Sequence, residues 1–260
     1  MYQGYDQILV EKQDKLLFIK FNNPKKKNCV NVIAYGEITR AFREVAQDDS
    51  VTIVVITGVG DFFTAGNDLS QTSDFTDMEA YIKESSGIFK GMVSAVIDCP
   101  KVVIALVNGP CIGIGVTLAG LSDLVWCSDT AYFHTPFVSL GIVPEACSSY
   151  LFPLLIGRSK ASELLLFSEK MTAEDAFHYH FVSRVFKSHE LSSIILPKIQ
   201  QYSELPPESM QTSKKLMRMH ERDGLYKALD AESDALTHRL QSEEFFNALI
   251  SFSMRKKSKL

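Results

Sequence analysis

Residues 99–129 read CPKVVIALVNGPCIGIGVTLAGLSDLVWCSD. Within them, 101–107 form a run rich in β-branched side chains with no Gly or Pro, which predicts a buried strand. Asn108-Gly109-Pro110 then predicts a turn. Gly113-Ile114-Gly115 opens an apolar, small-residue run to Gly120 that reads as a buried helix. Glycine at such a joint lets backbone approach a ligand closely, and the first amides of a helix lack an intrahelical acceptor. A strand that passes through this turn into a helix therefore either only redirects the chain or presents N–H groups to an anion. In the second case the helix dipole adds to the attraction.

The same pattern stands upstream. Residues 51–57, VTIVVIT, read as a buried strand, 58–61 as a turn, and FFTAGNDL at 62–69 as a second strand-to-glycine junction. Two such loops, each exposing a backbone amide, say more together than either alone. Before them, 7–13 and 16–21 flank Asp14-Lys15 like a β-hairpin, which Asn22-Asn23-Pro24 stops. Lys25-Lys26-Lys27 follow, either as a solvated turn or as a phosphate contact. Positions 32–47 show a helical face of Ile33, Ile38, Ala41, Phe42 and Val45, and 82–97 show another. The polar stretch 70–80 between them reads as a mobile loop beside the site.

Short strands are expected at 124–127 and 131–133, and helices at 145–155 and 160–167. Thr172-Ala173-Glu174-Asp175 resembles a helix start. Past residue 188 only helices are expected, at 191–202, 207–222, 225–240 and 243–254. The alternation of strands and helices argues an α/β fold. Residues 1–188 would form its core, and 189–260 a helical C-terminal region of the same structural domain.

A chain of 260 residues, 46% hydrophobic and 22% charged, suits one large globular domain. A net charge of −4 makes no electrostatic case for nucleic acid or a membrane surface. No apolar run is long enough to span a bilayer, and the N-terminus lacks a secretory pattern. Cysteines 29, 99, 111, 127 and 147 form no CxxC pair, so reduced thiols of an intracellular protein are expected, with no disulfide frame or zinc site. Ser258-Lys259-Leu260 at the end of the chain is the address read by the peroxisomal import receptor, which points to the peroxisome.

NNPKKKNCVN (22–31), FFTAGNDL (62–69), VNGPCIGIGVTLAGLSD (107–123), FHTPFVSLGIVPEACSSY (133–150) and Glu204-Leu205-Pro206-Pro207 together resemble, in order, the crotonase (enoyl-CoA hydratase/isomerase) superfamily. Within it the chain most resembles the peroxisomal Δ3,Δ2-enoyl-CoA isomerases. The resemblance runs from about Gln7 to the C-terminus. It implies a spiral of ββα units with a helical trimerisation region, assembly as a homotrimer or hexamer, and an acyl-CoA thioester substrate with no cofactor beyond it. It also implies an oxyanion hole made by the backbone N–H groups of Asn67 and Ile114. CoA would lie along Lys27, Cys29, Val30, Ala65, Gly66, Asn67, Asp68, Leu69 and Gly113, with Phe137 and Ile142 lining the acyl pocket.

The family's hydratases hold two glutamates across the substrate; the matching positions here are Thr117 and Phe137, so hydration is not expected. Glu145, in GIVPEAC, stands where the isomerases carry their single acid, and it is the only carboxylate between Asp129 and Glu163. Its apolar setting would favour burial, a raised pKa and proton transfer. Following Pro144, it also suits a helix N-terminal acid that complements the dipole. The implied reaction moves a double bond from C3 to C2 of an enoyl-CoA. The alternatives are a non-catalytic acyl-CoA-binding protein and another enzyme of the same fold: a hydratase, a dienoyl-CoA isomerase or a thioesterase. The two glycine junctions and Glu145 argue against the first. The lack of further acids argues against the hydratase and the dienoyl-CoA isomerase. His134 is expected to make a structural hydrogen bond.

Overall fold

In the computed structural model, which describes residues 1–68 and 78–257, six strands form one sheet. β1 (Ile8–Gln13) and β2 (Leu16–Phe21) make the antiparallel hairpin. β2 then pairs in parallel with β3 (Ile53–Gly58), β3 with β4 (Val102–Val107), β4 with β6 (Leu124–Ser128), and β6 with β9 (Arg184–Phe186). The apolar runs are continuous because both faces are covered. Leu17, Ile19, Val54, Ile56, Val103 and Ala105 face the main core cluster, while Leu16, Phe18, Ile53, Val55, Ile104 and Leu106 face a second cluster. That second cluster is closed by Ile195 and by Ile199 of α6 (Leu196–Ser203).

A smaller sheet runs β5 (Cys111–Ile112), β7 (Tyr132–His134), β8 (Lys170–Thr172), and isolated parallel bridges link Val30 to Asn67 and Thr64 to Cys111. Four of the six main strands thus lead through a short second-layer strand or bridge into a helix. From β2 the chain reaches α1 (Val32–Ala46), from β3 α2 (Met78–Ile97), from β4 α3 (Ile114–Leu121), and from β6 α4 (Ser148–Leu165). This is the expected ββα spiral. Asn31 caps α1 by accepting the Ala34 N–H, and Thr172 with Asp175 closes a capping box on α5 (Ala173–His178). The C-terminal region is helical as expected, with α7 (Pro207–Arg218), α8 (Arg222–Leu240) and α9 (Glu243–Lys257).

Three expectations need correction. α2 begins at Met78, inside the stretch read as loop; the rest of that stretch, Leu69 before it and Ser258-Lys259-Leu260 lie outside the described residues. Ile33 is 60% exposed, because Ala34, Tyr35 and Ile38 turn the buried face of α1 away from it. The helix expected from Glu145 starts at Ser148, since Ala146 and Cys147 hold left-handed φ of 51° and 65°.

Asp123 fastens the C-terminal helices to the sheet. Its carboxylate accepts the Val103 N–H at 2.8 Å and pairs with Lys214 at 2.6 Å and Arg218 at 3.1 Å, both from α7. Lys214 is buried. Asp123→Ala would leave that ammonium buried without a counter-charge, held by the Lys101 carbonyl at 2.8 Å, and breaking a buried pair typically costs about 3–5 kcal/mol. Urea unfolding should register that loss; a loss under about 1 kcal/mol would show the cluster to be loosely solvated.

Candidate active site

The 64–68 loop and the turn into α3 meet back to back. Hydrogen bonds occupy their amides almost completely. Ala65 donates to the Lys27 carbonyl at 2.9 Å, Gly66 to Thr64 Oγ1 at 3.0 Å, and Asp68 to the Val30 carbonyl at 2.9 Å. Across the gap, Ile112 donates to the Thr64 carbonyl at 3.0 Å and Gly113 to the His134 carbonyl at 2.9 Å. The amides of Asn67 and of Ile114, the first residue of α3, find no acceptor among the described residues. The Gly115 amide, next along α3, likewise has no acceptor among the described residues; Asn67 and Ile114 are the two that the family resemblance implies.

Both turns require glycine. Gly66 has φ 83° and Gly113 φ 56°, conformations that L side chains rarely adopt. A Cβ on Gly66 would stand 3.1 Å from the Ile112 carbonyl oxygen and 3.8 Å from Gly113 Cα. The two turns therefore touch through backbone.

Side chains that the motif reading passed over hold this arrangement. Asn28, fully buried and left-handed at φ 57°, accepts the Asn23 N–H and donates to the Val59 and Phe62 carbonyls at 2.9 and 2.7 Å. Its own carbonyl accepts the Thr64 hydroxyl at 2.6 Å. Asn108 does the same for the neighbouring strand end, accepting the Gly58 N–H at 3.0 Å and donating to the Gly60 carbonyl at 2.6 Å. The Tyr35 hydroxyl donates to the Asn67 side-chain oxygen. Asn in Asn-Gly-Pro and after a lysine run is a turn signal that could have marked the first two; Tyr35 carries no local signal.

Glu145 lies on the segment that leaves β7, the strand whose last residue, His134, binds Gly113. It is 3% exposed, and no hydrogen bond to its carboxyl is found among the described residues. Burial, and next the charge of Glu232 on α8, push that carboxyl up from the ordinary 4.5 to about 8. The left-handed Ala146 and Cys147 that follow cost of order 1–3 kcal/mol each and persist only where surroundings enforce them. Glu145 does not cap α4; Glu232 does, accepting the Cys147 N–H at 2.6 Å and the Ser149 N–H at 2.8 Å. The Ser148 hydroxyl donates to the Glu145 carbonyl at 2.7 Å.

The remaining positions sort by exposure. Lys27 is exposed with its ammonium 5.1 Å from the Phe62 ring centroid, and Lys26 pairs with Asp68 at 2.9 Å. Val30 is buried, while Cys29 and Ala65 are half-buried. Phe137 is buried in the cluster that also holds Ile114, Ala146 and Cys147, with Ile142 packed against it. Thr117 is buried, and its hydroxyl donates to the Ile114 carbonyl at 3.1 Å, so neither hydratase position bears an acid. His134 meets the Ser168 carbonyl through Nε2 at 3.1 Å, the structural role expected of it.

The chain is thus an α/β fold, a ββα spiral with two facing glycine turns and a buried acid. The enoyl-CoA hydratase/isomerase family matches residues 11–260, and the chain belongs to that family. It is 42% identical over 250 residues to "Enoyl-CoA delta isomerase 2" of Rattus norvegicus, covering 96% of this chain and 64% of the relative. The chain thus spans less than two thirds of that protein's length. It is also 41% identical over 255 residues to "Enoyl-CoA delta isomerase 3, peroxisomal" of Mus musculus, covering 97% of this chain and 80% of the relative. An enoyl-CoA hydratase/isomerase structure from Pseudoalteromonas atlantica superposes with a TM-score of 0.88 at 30% identity, over 96% of this chain and 98% of that one.

A carboxyl raised to about 8 binds its proton more tightly in the folded than in the unfolded chain, so this group's contribution to stability falls as pH rises from about 4.5 through about 8. Glu145→Gln removes that penalty. Urea unfolding should show the variant gaining about 1–3 kcal/mol on wild type at pH 9 and less at pH 5. An equal gain at both pH values would contradict the buried, proton-binding state of Glu145.

Proposed function

We propose that the chain moves the double bond of a 3-enoyl-CoA to the 2-trans position, serving the β-oxidation of unsaturated fatty acids. The observation that supports this reading is the buried carboxyl of Glu145, with no hydrogen-bond partner among the described residues, together with Thr117 and Phe137 at the positions that the resemblance gives to the hydratase acids. The amides of Asn67 and Ile114 donate to the thioester oxygen. The Glu145 carboxylate takes a proton from C2; the C2–H electrons form the dienolate, whose charge collects on that oxygen. The same proton returns from Glu145 to C4 as the double bond settles between C2 and C3. One acid suffices because the proton is returned, not exchanged for water. The reaction is redox-neutral and asks for no metal or redox cofactor. Each amide at the oxygen contributes about 10²–10³ in rate by analogy with other oxyanion holes.

CoA runs along Lys27, Cys29, Val30, Ala65, Gly66, Asp68 and Leu69 to Gly113, with the exposed Lys25 and Lys27 available to phosphates. Phe137 and Ile142 line the acyl pocket. Import into the peroxisome goes through the receptor that reads Ser258-Lys259-Leu260, a location supported by the name of the mouse relative. The working form is a homotrimer or hexamer. The exposure of Leu154, Phe167, Phe177 and Met217, at 61%, 72%, 53% and 78% in the single chain, supports subunit contacts.

The test is conversion of 3-enoyl-CoA by wild type and Glu145→Gln, with crotonyl-CoA hydration measured beside it. Wild type should isomerise and hydrate only weakly, and Glu145→Gln should lose about 10²–10⁴-fold in kcat. Because the base works ionised, kcat/KM should rise with pH and level off above about 8. A fully active Gln variant removes Glu145 from the chemistry, and hydration as fast as isomerisation refutes the single-acid mechanism.

A further inference from the structure

Glu232 lies on a helix far downstream of the motifs, yet both its oxygens are spent on the turn that carries Glu145. Oε2 accepts the Cys147 N–H at 2.6 Å, and Oε1 accepts the Ser149 N–H at 2.8 Å together with the Ser149 hydroxyl. Ser148, between those two residues, holds the Glu145 carbonyl through its hydroxyl at 2.7 Å. Two turns earlier on α8, the Leu225 carbonyl accepts the Cys147 thiol at 3.2 Å. Glu232 is itself buried.

This grip answers a local need. Cys147 makes no side-chain cap for α4, and a buried helix start otherwise leaves amides without acceptors. The left-handed Ala146 and Cys147 set the angle between Glu145 and the helix axis, and nothing in their own side chains favours that conformation. A carboxylate that binds the amides on both sides of Ser148 fixes the angle from outside the segment.

We propose that Glu232 is a positioning residue: by clasping the Cys147 and Ser149 amides from α8, it aims the Glu145 carboxyl at the substrate. The inference rests on the isomerase reading for its kinetic consequence and on hydrogen bonds alone for its structural one. Glu232→Gln places an amide N–H against one of the two backbone donors and keeps the side-chain volume. The thioester contacts lie on other loops, so the loss should fall on kcat and not on KM. A misplaced base loses up to about 10²-fold; we expect a tenfold or greater fall in kcat for Glu232→Gln, a larger one for Glu232→Ala, and KM within about twofold.

The experiment measures 3-enoyl-CoA kinetics and amide hydrogen exchange for wild type, Glu232→Gln and Ile199→Ala. The last is a core truncation on the far face of the sheet, chosen as a generic loss of stability. Support is a kcat loss in Glu232→Gln beyond that of Ile199→Ala, with faster exchange confined to Cys147, Ser149 and their neighbours. An unchanged kcat, or a loss matching that of Ile199→Ala, overturns the proposal. If wild type converts no 3-enoyl-CoA, the isomerase reading fails. The clasp is then judged by exchange alone, and unchanged protection at Cys147 and Ser149 overturns it.

Discussion

Two segments of backbone touching through Gly66 and Gly113 are the constraint on which the rest of the site depends. β3 and β4 are hydrogen-bonded neighbours, so the loops that follow them emerge side by side. Several of their amides are satisfied by Lys27, Val30, Thr64 and His134, while those of Asn67, Ile114 and Gly115 find no acceptor among the described residues. Open amides at the joint of two glycine turns suit an anionic oxygen, and Asn28 and Asn108 hold the loops in this arrangement.

Two carboxyls near α4 illustrate how surroundings divide labour between identical groups. Glu232 is met by three donors, which favour its ionised form against the cost of burial. Glu145 is met by none among the described residues and is pushed toward its neutral form by burial and by Glu232. The dipole of α4 is therefore served by a carboxylate from another helix. The acid adjacent in sequence is left without a structural task.

Much of the fold is readable from periodicity. Apolar runs such as VTIVVIT could only be strands buried on both faces, and the Thr172–Asp175 signature marks its helix start to the residue. The two tight turns were legible because Gly66 and Gly113 mark them, and both hold positive φ. What escaped is long-range or conformational. Ala146 and Cys147 carry none of the Gly or Asn chemistry that announces a left-handed turn, so a helix starting at Glu145 was the natural expectation. Ile33 fitted a helical face that tertiary packing placed elsewhere. Glu232 is one acid among many on a mostly polar helix, and only the folded chain brings it to Cys147.

The clasp on Cys147 and Ser149 also sets an order of events. A chain emerging from the ribosome can complete β3, β4 and α3, and with them the paired glycine turns, long before residue 232 is made. The turn bearing Glu145 must wait for α8, whose carboxylate and carbonyl secure it. The glycine turns can thus be finished early in synthesis, while the turn that carries the buried Glu145 carboxyl is locked only near its close.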